Sequence, residues 1–367
     1  MTTEIAPVRV TQVASGDLWA GAEKQLLVLA KALRRQGVEV SAVILNPGPL
    51  ADRLQAEGFT LQVLDENRQG SIEIFRELRT FLRTMRPDVV HTHRVKENIL
   101  AGLAAASLGI RSIRTQHGAQ EHPASLFDVR RQVMRTADWL TGTLLQRHIV
   151  AVSEVLEEQL ASRFGRSKVV RIENGLDIDD APLQRDWSPR SRWHIGIVGR
   201  QVPVKRVDLF LQAARQLEQR LPHQAFQFSV IGDGPLLAAH QAQAANLCFR
   251  NPVEFTGHID NAEAAIAGLD LLVICSDHEG LPMVALEAMR AGTVVVTHAI
   301  GALPTLLDEN RGGLFAPGHS VEAFADTMAA ALTDPEQLAA RARYAYQRLR
   351  DDFSADSMAR RYLEAYR

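Results

Sequence analysis

The feature that most restricts this chain is a rhythm of strand and helix patterns that runs twice. β-Branched runs at 8–14 (VRVTQVA), 38–45 (VEVSAVIL), 60–64 (TLQVL), 88–93 (DVVHTH) and 111–115 (RSIRT) alternate with helical patterns, the first from about Ala22 to Arg35. Strands separated by helices form βαβ units, whose strands lie parallel in a sheet covered on both faces. The rhythm breaks at the polar, proline-bearing stretch 177–193 (DIDDAPLQRDWSPRSRW) and restarts with runs at 194–199, 226–232, 253–257, 269–275 and 293–296. The expected fold is therefore α/β: two Rossmann-like, doubly wound parallel-sheet domains facing across a cleft, at 1–178 and 193–352, joined by a linker at 179–192. A last amphipathic helix, 353–367, opens on Ser354 as N-cap and is expected to return to the first domain.

With 367 residues, 46% of them hydrophobic, the chain has enough material for two cores. The formal net charge of -2 excludes a protein whose main task is coating nucleic acid. Cys248 and Cys275, far apart and without CxxC spacing, indicate neither a disulfide framework nor a zinc site. The N-terminus lacks a basic segment followed by an apolar core, and the longest apolar run, 99–110, is too short to span a bilayer. A cytoplasmic protein is expected, touching the inner face of the membrane without crossing it.

Ligands of such sheets bind beyond the carboxyl ends of the strands. In the second half each strand releases a glycine-rich or charged turn there: VGRQVPVKR, then IGDGP with Gly232, then TGHID, then CSDHEGLP. Arg200 and Lys205 lie around Pro203, where a helix from about Val204 to Leu221 is expected to begin. Cations at a helix N-terminus oppose its dipole, so an anionic ligand between them, such as a diphosphate, accounts for their placement. In HEGLP, Gly280 permits close backbone approach, Pro282 suits the first position of a helix, and the free N–H groups there bind anions. Glu287 follows five residues on, roughly 7.5 Å along the axis at 1.5 Å per residue. It sits in a greasy helix, where a carboxylate needs a partner, and its two oxygens match a ribose diol.

These motifs, in this order, resemble the retaining nucleotide-sugar glycosyltransferases of the GT-B fold, often called family four. WAGAEKQ, HGAQ, IVAVSE, IENGLD, GRQVPVKR, IGDGP, TGHI, HEGLP and GGLFAPG carry the resemblance over nearly the whole chain. It implies that the first domain binds the acceptor and the second the donor. Arg200 and Lys205 would hold the donor diphosphate, and Glu287 the ribose. Glu279, with the backbone of Gly280, Leu281 and Pro282, would contact the transferred sugar. His117 would face the reacting sugar, Gly21 would approach the phosphates, and the backbone at His258 and Ile259 would meet the base. The implied reaction retains anomeric configuration and needs no metal or other cofactor; a UDP-sugar is the preferred donor, and a glycan or lipid-linked molecule the acceptor. The chain departs from the family pattern at Ala20, where a second glycine is common, and at Thr305, where many members carry Glu.

Alternatives stay open at this level: a nucleotide-sugar epimerase of the same fold, or a non-catalytic nucleotide-sugar binding protein. Asp177 and Asp179 resemble a metal-binding Asp-x-Asp but lie at the linker entrance. His91 and His93 share one face of a strand, yet no third zinc ligand has suitable spacing. Between Arg68 and Arg147 there are 13 Lys and Arg against 7 Asp and Glu. There the helical stretch 72–86 carries Arg76, Arg79, Arg83 and Arg86 opposite Ile72, Phe75, Leu78 and Leu82, a surface suited to anionic lipid.

Overall fold

The computed structural model describes residues 7–16, 19–118, 129–178, 183, 185, 187, 191–259 and 261–367. The chain divides into two compact units, one running to Asp177 and taking back Ser354–Arg367, the other comprising Ile178–Phe353.

The first unit is built on β1 (Arg9–Ala14), β2 (Glu39–Ile44), β3 (Thr60–Val63), β4 (Val89–Thr92), β5 (Arg111–Gln116), β6 (Gln146–Ala151) and β7 (Val169–Arg171). They pair in parallel in the order β3-β2-β1-β4-β5-β6-β7. Strand order reverses between β1 and β4, which opens a crevice beyond their carboxyl ends. Val10 and Val89 pack into the core on one face and Val13 and Val90 into that on the other, while the polar Thr11, Gln12, His91 and Thr92 of the same strands are buried as well.

The helix Ala355–Tyr366 completes this unit. Its residues Ala355, Met358, Ala359, Tyr362, Ala365 and Tyr366 recur at helical spacing and are buried against Val10, Val28, Leu29 and Leu33. Ser354 caps it, accepting the Ser357 N–H at 3.2 Å. Arg35 ties its first turn down, donating to Asp356 at 2.8 Å and to Asp177 at 2.6 Å. In the helix Ser71–Met85 the buried face is Ile74, Leu78 and Leu82, whereas Ile72 is 71% exposed. Two residues before Ile74 is about 200° around a helix, so Ile72 points away from the face that the sequence pattern assigned to it.

The second unit contains β8 (Arg192–Val198), β9 (Ala225–Ile231), β10 (Glu254–Gly257), β11 (Leu271–Ile274), β12 (Val294–Thr297) and β13 (Gly313–Phe315). The order is β10-β9-β8-β11-β12-β13, again parallel, with the reversal between β8 and β11. Every residue of β11 and β12 is buried. Within the stretch read as linker, Leu183 and Trp187 pack on this unit's core. Arg185 there donates to the Thr293 hydroxyl at 3.0 Å and to Asp270 at 3.2 Å. Among the described residues no helix is long and apolar enough to cross a membrane.

Candidate functional site

In the second unit the turns beyond β8, β9 and β10 lock together through backbone. The Gly199 N–H donates to the Ile231 carbonyl at 2.9 Å, and the Gly232 N–H to the Gly257 carbonyl at 3.0 Å. A Cβ on Gly232 would lie 2.3 Å from the Gly199 carbonyl oxygen, and Gly232 has φ +124°, so only glycine fits. Gln201 clamps the pair of turns: its amide donates to the Gly232 carbonyl at 2.7 Å and accepts from His240 at 2.8 Å. Gln201 is fully buried, whereas the neighbouring Arg200 is exposed. His258, exposed, and Ile259, half-buried, follow β10 on the same edge.

Lys205 differs from the sequence expectation in one respect. The α-helix begins at Val207, not Val204; Pro203–Lys205 form a short 3₁₀ turn, and Arg206 breaks the two apart with φ 51°. Arg206 is held in that left-handed conformation by Asp208 at 3.0 Å and Asp277 at 3.1 Å. Lys205 consequently faces the loop beyond β11, where its ammonium donates to Glu279 at 2.7 Å. Side-chain exposures of 26% and 10% make this a partly screened ion pair, worth at most about 1 kcal/mol to stability. So small a gain leaves the ammonium available to an arriving anion.

The loop Cys275–Gly280 is fastened from several sides. The Asp277 N–H donates to the Val204 carbonyl at 2.8 Å. His298 bonds the Ser276 carbonyl at 2.9 Å and His319 the Cys275 carbonyl at 2.7 Å, with the two rings stacked 4.1 Å apart. The Gly280 carbonyl accepts the Ala302 N–H at 2.9 Å. Gly301 presses so closely that a Cβ on it would lie 2.3 Å from the Glu279 carbonyl oxygen. Leu281 and Pro282 are buried. Pro282 stands just before the helix Met283–Ala291 and not at its first position; its ψ of 124° is extended, which frees the N–H groups after it. Glu287, the fifth residue of that helix, is 4% exposed. Thr305 is exposed and contributes its carbonyl to Arg348 at 2.8 Å.

Gly21 and His117 belong to the first unit. Gly21 opens the helix Gly21–Arg35, with Ala20 before it and no side-chain cap. His117 follows β5 and stands in a file of histidines beyond β4 and β5. Its Nε2 lies 3.0 Å from His93 Nδ1, and His93 Nε2 lies 2.8 Å from the Gln12 amide oxygen. His91 bonds Tyr366 at 2.9 Å and Thr115 at 2.8 Å. His91 and His93 thus spend their ring nitrogens on protein partners, and no cluster of three metal-ligating side chains occurs among the described residues. Asp177 is paired with Arg35, and Asp179 lies outside the described residues. Burial drives all three rings toward neutrality, taking His91 down to about 3 and, with help from the Arg94 charge, His117 down to about 4. His93 is lowered by the same burial.

The second unit can therefore receive an anion with Lys205, Arg200 and backbone N–H groups, and the first offers one neutral histidine, His117, with a ring nitrogen left for a hydroxyl. Gln201, Gly301, His298 and His319 do not stand out in the sequence. The one signal for Gln201 is its place inside the glycine-flanked turn after β8.

The family model described as "Glycosyl transferases group 1" matches residues 185–348, and that described as "Glycosyltransferase Family 4" matches 19–180. The 2-deoxystreptamine glucosyltransferase of Streptomyces kanamyceticus is 33% identical over 317 residues, covering 86% of this chain and 72% of that protein. The glycogen synthase of Mycobacterium tuberculosis is 27% identical over 291 residues, covering 77% and 69%. The crystal structure of Anabaena Alr3699/HepE in complex with UDP superposes with a TM-score of 0.83 at 17% identity over 98% of this chain and 99% of that one. With both halves matched in order and a GT-B fold shared along the whole length, the chain belongs to the group 1, family four glycosyltransferases.

Proposed function

We propose that this glycosyltransferase moves a sugar, with retention of anomeric configuration, from a nucleoside diphosphate donor to a hydroxyl of a glycan or lipid-linked acceptor. The observation that carries the reading is the Lys205–Glu279 pair at 2.7 Å, set on a loop that enters the helix Met283–Ala291 beside the interlocked glycine turns. Departure of a nucleoside diphosphate builds negative charge on phosphate oxygens. Lys205, Arg200 and the N–H groups at the start of that helix stabilise it, so the step requires no metal. Gly21 lies against the phosphates. Glu287 binds the ribose, and the backbone at His258 and Ile259 the base. Glu279 and the Gly280–Pro282 backbone hold the transferred sugar, with His117 at its hydroxyls.

A UDP-sugar is the preferred donor, in keeping with the UDP-bound HepE structure. An acceptor rich in hydroxyls is in keeping with the names of two relatives, a 2-deoxystreptamine glucosyltransferase and a glycogen synthase. The arginines exposed on Ser71–Met85 suit a peripheral position on anionic membrane, which supports an acceptor in polysaccharide or glycoconjugate synthesis.

Thermal unfolding with UDP, GDP and ADP identifies the nucleotide, because a ligand at about 100 times its Kd stabilises by about 2.7 kcal/mol. UDP is expected to give the largest shift, and Glu287→Ala to remove it. Lys205→Ala is expected to lower transfer at least 100-fold, the range seen when one transition-state donor is lost. A variant that turns over normally would remove Lys205 from the diphosphate, and an inverted product in anomeric NMR would remove retention.

A further inference from the structure

Gln12 lies in the middle of β1, fully buried, directly across the pairing from His91 on β4. Its amide is held at both ends. The nitrogen faces the Tyr366 hydroxyl at 3.4 Å, and the oxygen faces His93 Nε2 at 2.8 Å.

That orientation fixes a sequence of protons. A carboxamide oxygen only accepts, so His93 Nε2 carries hydrogen, and a neutral ring has only one N–H. His93 Nδ1 is then a lone pair. It lies 3.0 Å from His117 Nε2, so that nitrogen carries the His117 hydrogen. The remaining nitrogen, His117 Nδ1, is a bare lone pair, screened from solvent and without a hydrogen-bond partner among the described residues. The opposite arrangement would leave an N–H unpaired in the same place, and orphaned buried N–H groups are rarer than orphaned acceptors. The second branch from Gln12 agrees. Tyr366 accepts from the amide and donates to His91 Nδ1 at 2.9 Å, and His91 Nε2–H reaches Thr115 at 2.8 Å. Stacking of His93 on His117, with ring centres 5.2 Å apart, fixes the plane of the ring as well.

We propose that Gln12 and His93 are positioning residues that hold His117 as its Nε2–H tautomer, so that Nδ1 accepts a hydrogen bond from a hydroxyl of the bound sugar. The sugar contact rests on the reading of His117 given above; the tautomer does not. A histidine free to exchange tautomers would present N–H or lone pair at random, and half its population would meet a hydroxyl oxygen wrongly. Gln12 and His93 remove that ambiguity before the ligand arrives.

The test begins with 15N-histidine-labelled full-length protein and long-range proton–nitrogen correlation at pH 7, with His117 assigned by the signals lost in His117→Gln. The wild type is expected to show His117 with hydrogen on Nε2 alone. His93→Leu is expected to mix the tautomers, and His93→Asn, which can place an amide oxygen where Nδ1 stood, to restore the single form. Hydrogen on Nδ1 in the wild type, an imidazolium, or an unchanged tautomer in folded His93→Leu overturns the proposal. The wild-type measurement needs no variant to fold. With UDP-glucose as the probe donor, His93→Leu is expected to lose about tenfold in kcat, the worth of one hydrogen bond, with KM within about twofold and His93→Asn recovering most of the loss. A kcat that ignores His93 removes the sugar contact. A correct tautomer in a protein that turns over no nucleotide sugar refutes the function proposed above and leaves the tautomer standing.

Discussion

The two units share a sheet order and a crevice at the same topological position, yet they furnish that crevice with opposite materials. Beyond β8 and β9 the second unit packs backbone on backbone, with Gly199, Gly232 and Gly257 in register and a single buried carboxamide, Gln201, as clamp. Beyond β4 and β5 the first unit packs ring on ring, and its hydrogen bonds run from β1 through three histidines to tyrosines on the last helix. Backbone N–H groups suit a phosphate, whose charge is the same whatever the donor; side-chain chains suit hydroxyls, whose arrangement differs between sugars and acceptors.

The contrast extends to charge. In the second unit each depressed histidine has a carboxylate pulling its pKa back up: Asp270 and Glu254 for His194, Asp208 for His240, Asp277 for His298. In the first unit, among the described residues, the depressed histidines have only cations or other histidines to add to the effect of burial. Acid is therefore the strongest way to separate the units. The folded rings of His91 and His117 take up protons only near about 3 and about 4, far below the ordinary imidazole value. Folded protein binds fewer protons than unfolded, so the stabilisation is complete above about pH 6.5 and drains as pH falls toward 4. Each ring contributes about 1.4 kcal/mol per pH unit across that window, and several kcal/mol in all is expected. Hydrogen exchange followed from pH 7 to 4.5 should show amides of β1, β4 and Ala355–Tyr366 losing protection before those of β8 and β11. Equal losses in both units would break the comparison.

Each unit also buries an Arg–Asp pair, and these differ in how many partners the arginine keeps. Arg114 donates to Asp138 at 2.6 Å, with side chains 2% and 5% exposed, and Asp138 is its one acceptor among the described residues. Arg185 reaches Asp270 but also the Ala267 carbonyl at 3.1 Å and the Thr293 hydroxyl at 3.0 Å. Asp138→Ala leaves a buried cation alone and is expected to cost about 3–5 kcal/mol in denaturant unfolding, whereas Asp270→Ala is expected to cost less because the carbonyls remain. The reverse order would mean that carbonyl partners do not substitute for a carboxylate here.

What could be read in the sequence follows the same division. The turns of the second unit are each contiguous: a strand ends, and a glycine or charge follows at once. Arg200 and Lys205 around Pro203, and Gly232 at a strand end, are of that kind, whereas the pairing of Lys205 with Glu279, 74 residues on, was not legible. The sheet alternation was legible for the same reason, apart from β6, which begins on the polar pair Gln146 and Arg147, and the three-residue strands β7 and β13, too short to show a period. Gln12, His93 and Tyr366 gave no signal as a group, because a carboxamide and a tyrosine 354 residues apart meet only once the last helix has docked. The helix start at Val207 was hidden by Arg206, whose left-handed turn depends on Asp277, a residue of another strand's loop.

A smaller effect tests whether the backbone packing of the second unit is as tight as it looks. Gly301 has φ +51°, and its hydrogen points at the Glu279 carbonyl. Gly301→Ala costs roughly 1–2 kcal/mol for the left-handed conformation alone, and the clash at 2.3 Å must add to it or displace the Glu279 loop. Loss of the UDP-induced thermal shift in a variant that still folds is the expected readout. A full shift would show that the loop yields without disturbing the donor.

The smallest effect comes from a matched pair of helix caps. Ser153, which caps Glu154–Phe164 in the first unit, accepts the Leu156 N–H at 3.3 Å and is buried; Ser320, which caps Val321–Leu332 in the second, accepts the Ala323 N–H at 3.2 Å and is exposed. Replacing either serine with alanine removes the same hydrogen bond, typically worth about 1 kcal/mol. Water can take the place of the hydroxyl at Ser320 more easily than at Ser153, where an unmet N–H bears its desolvation cost. Ser153→Ala is therefore expected to cost about 1–2 kcal/mol and Ser320→Ala about half as much in urea unfolding. Equal costs would mean that solvent reaches the buried cap as readily as the exposed one, and that side-chain networks seal the first unit less completely than its file of neutral histidines requires.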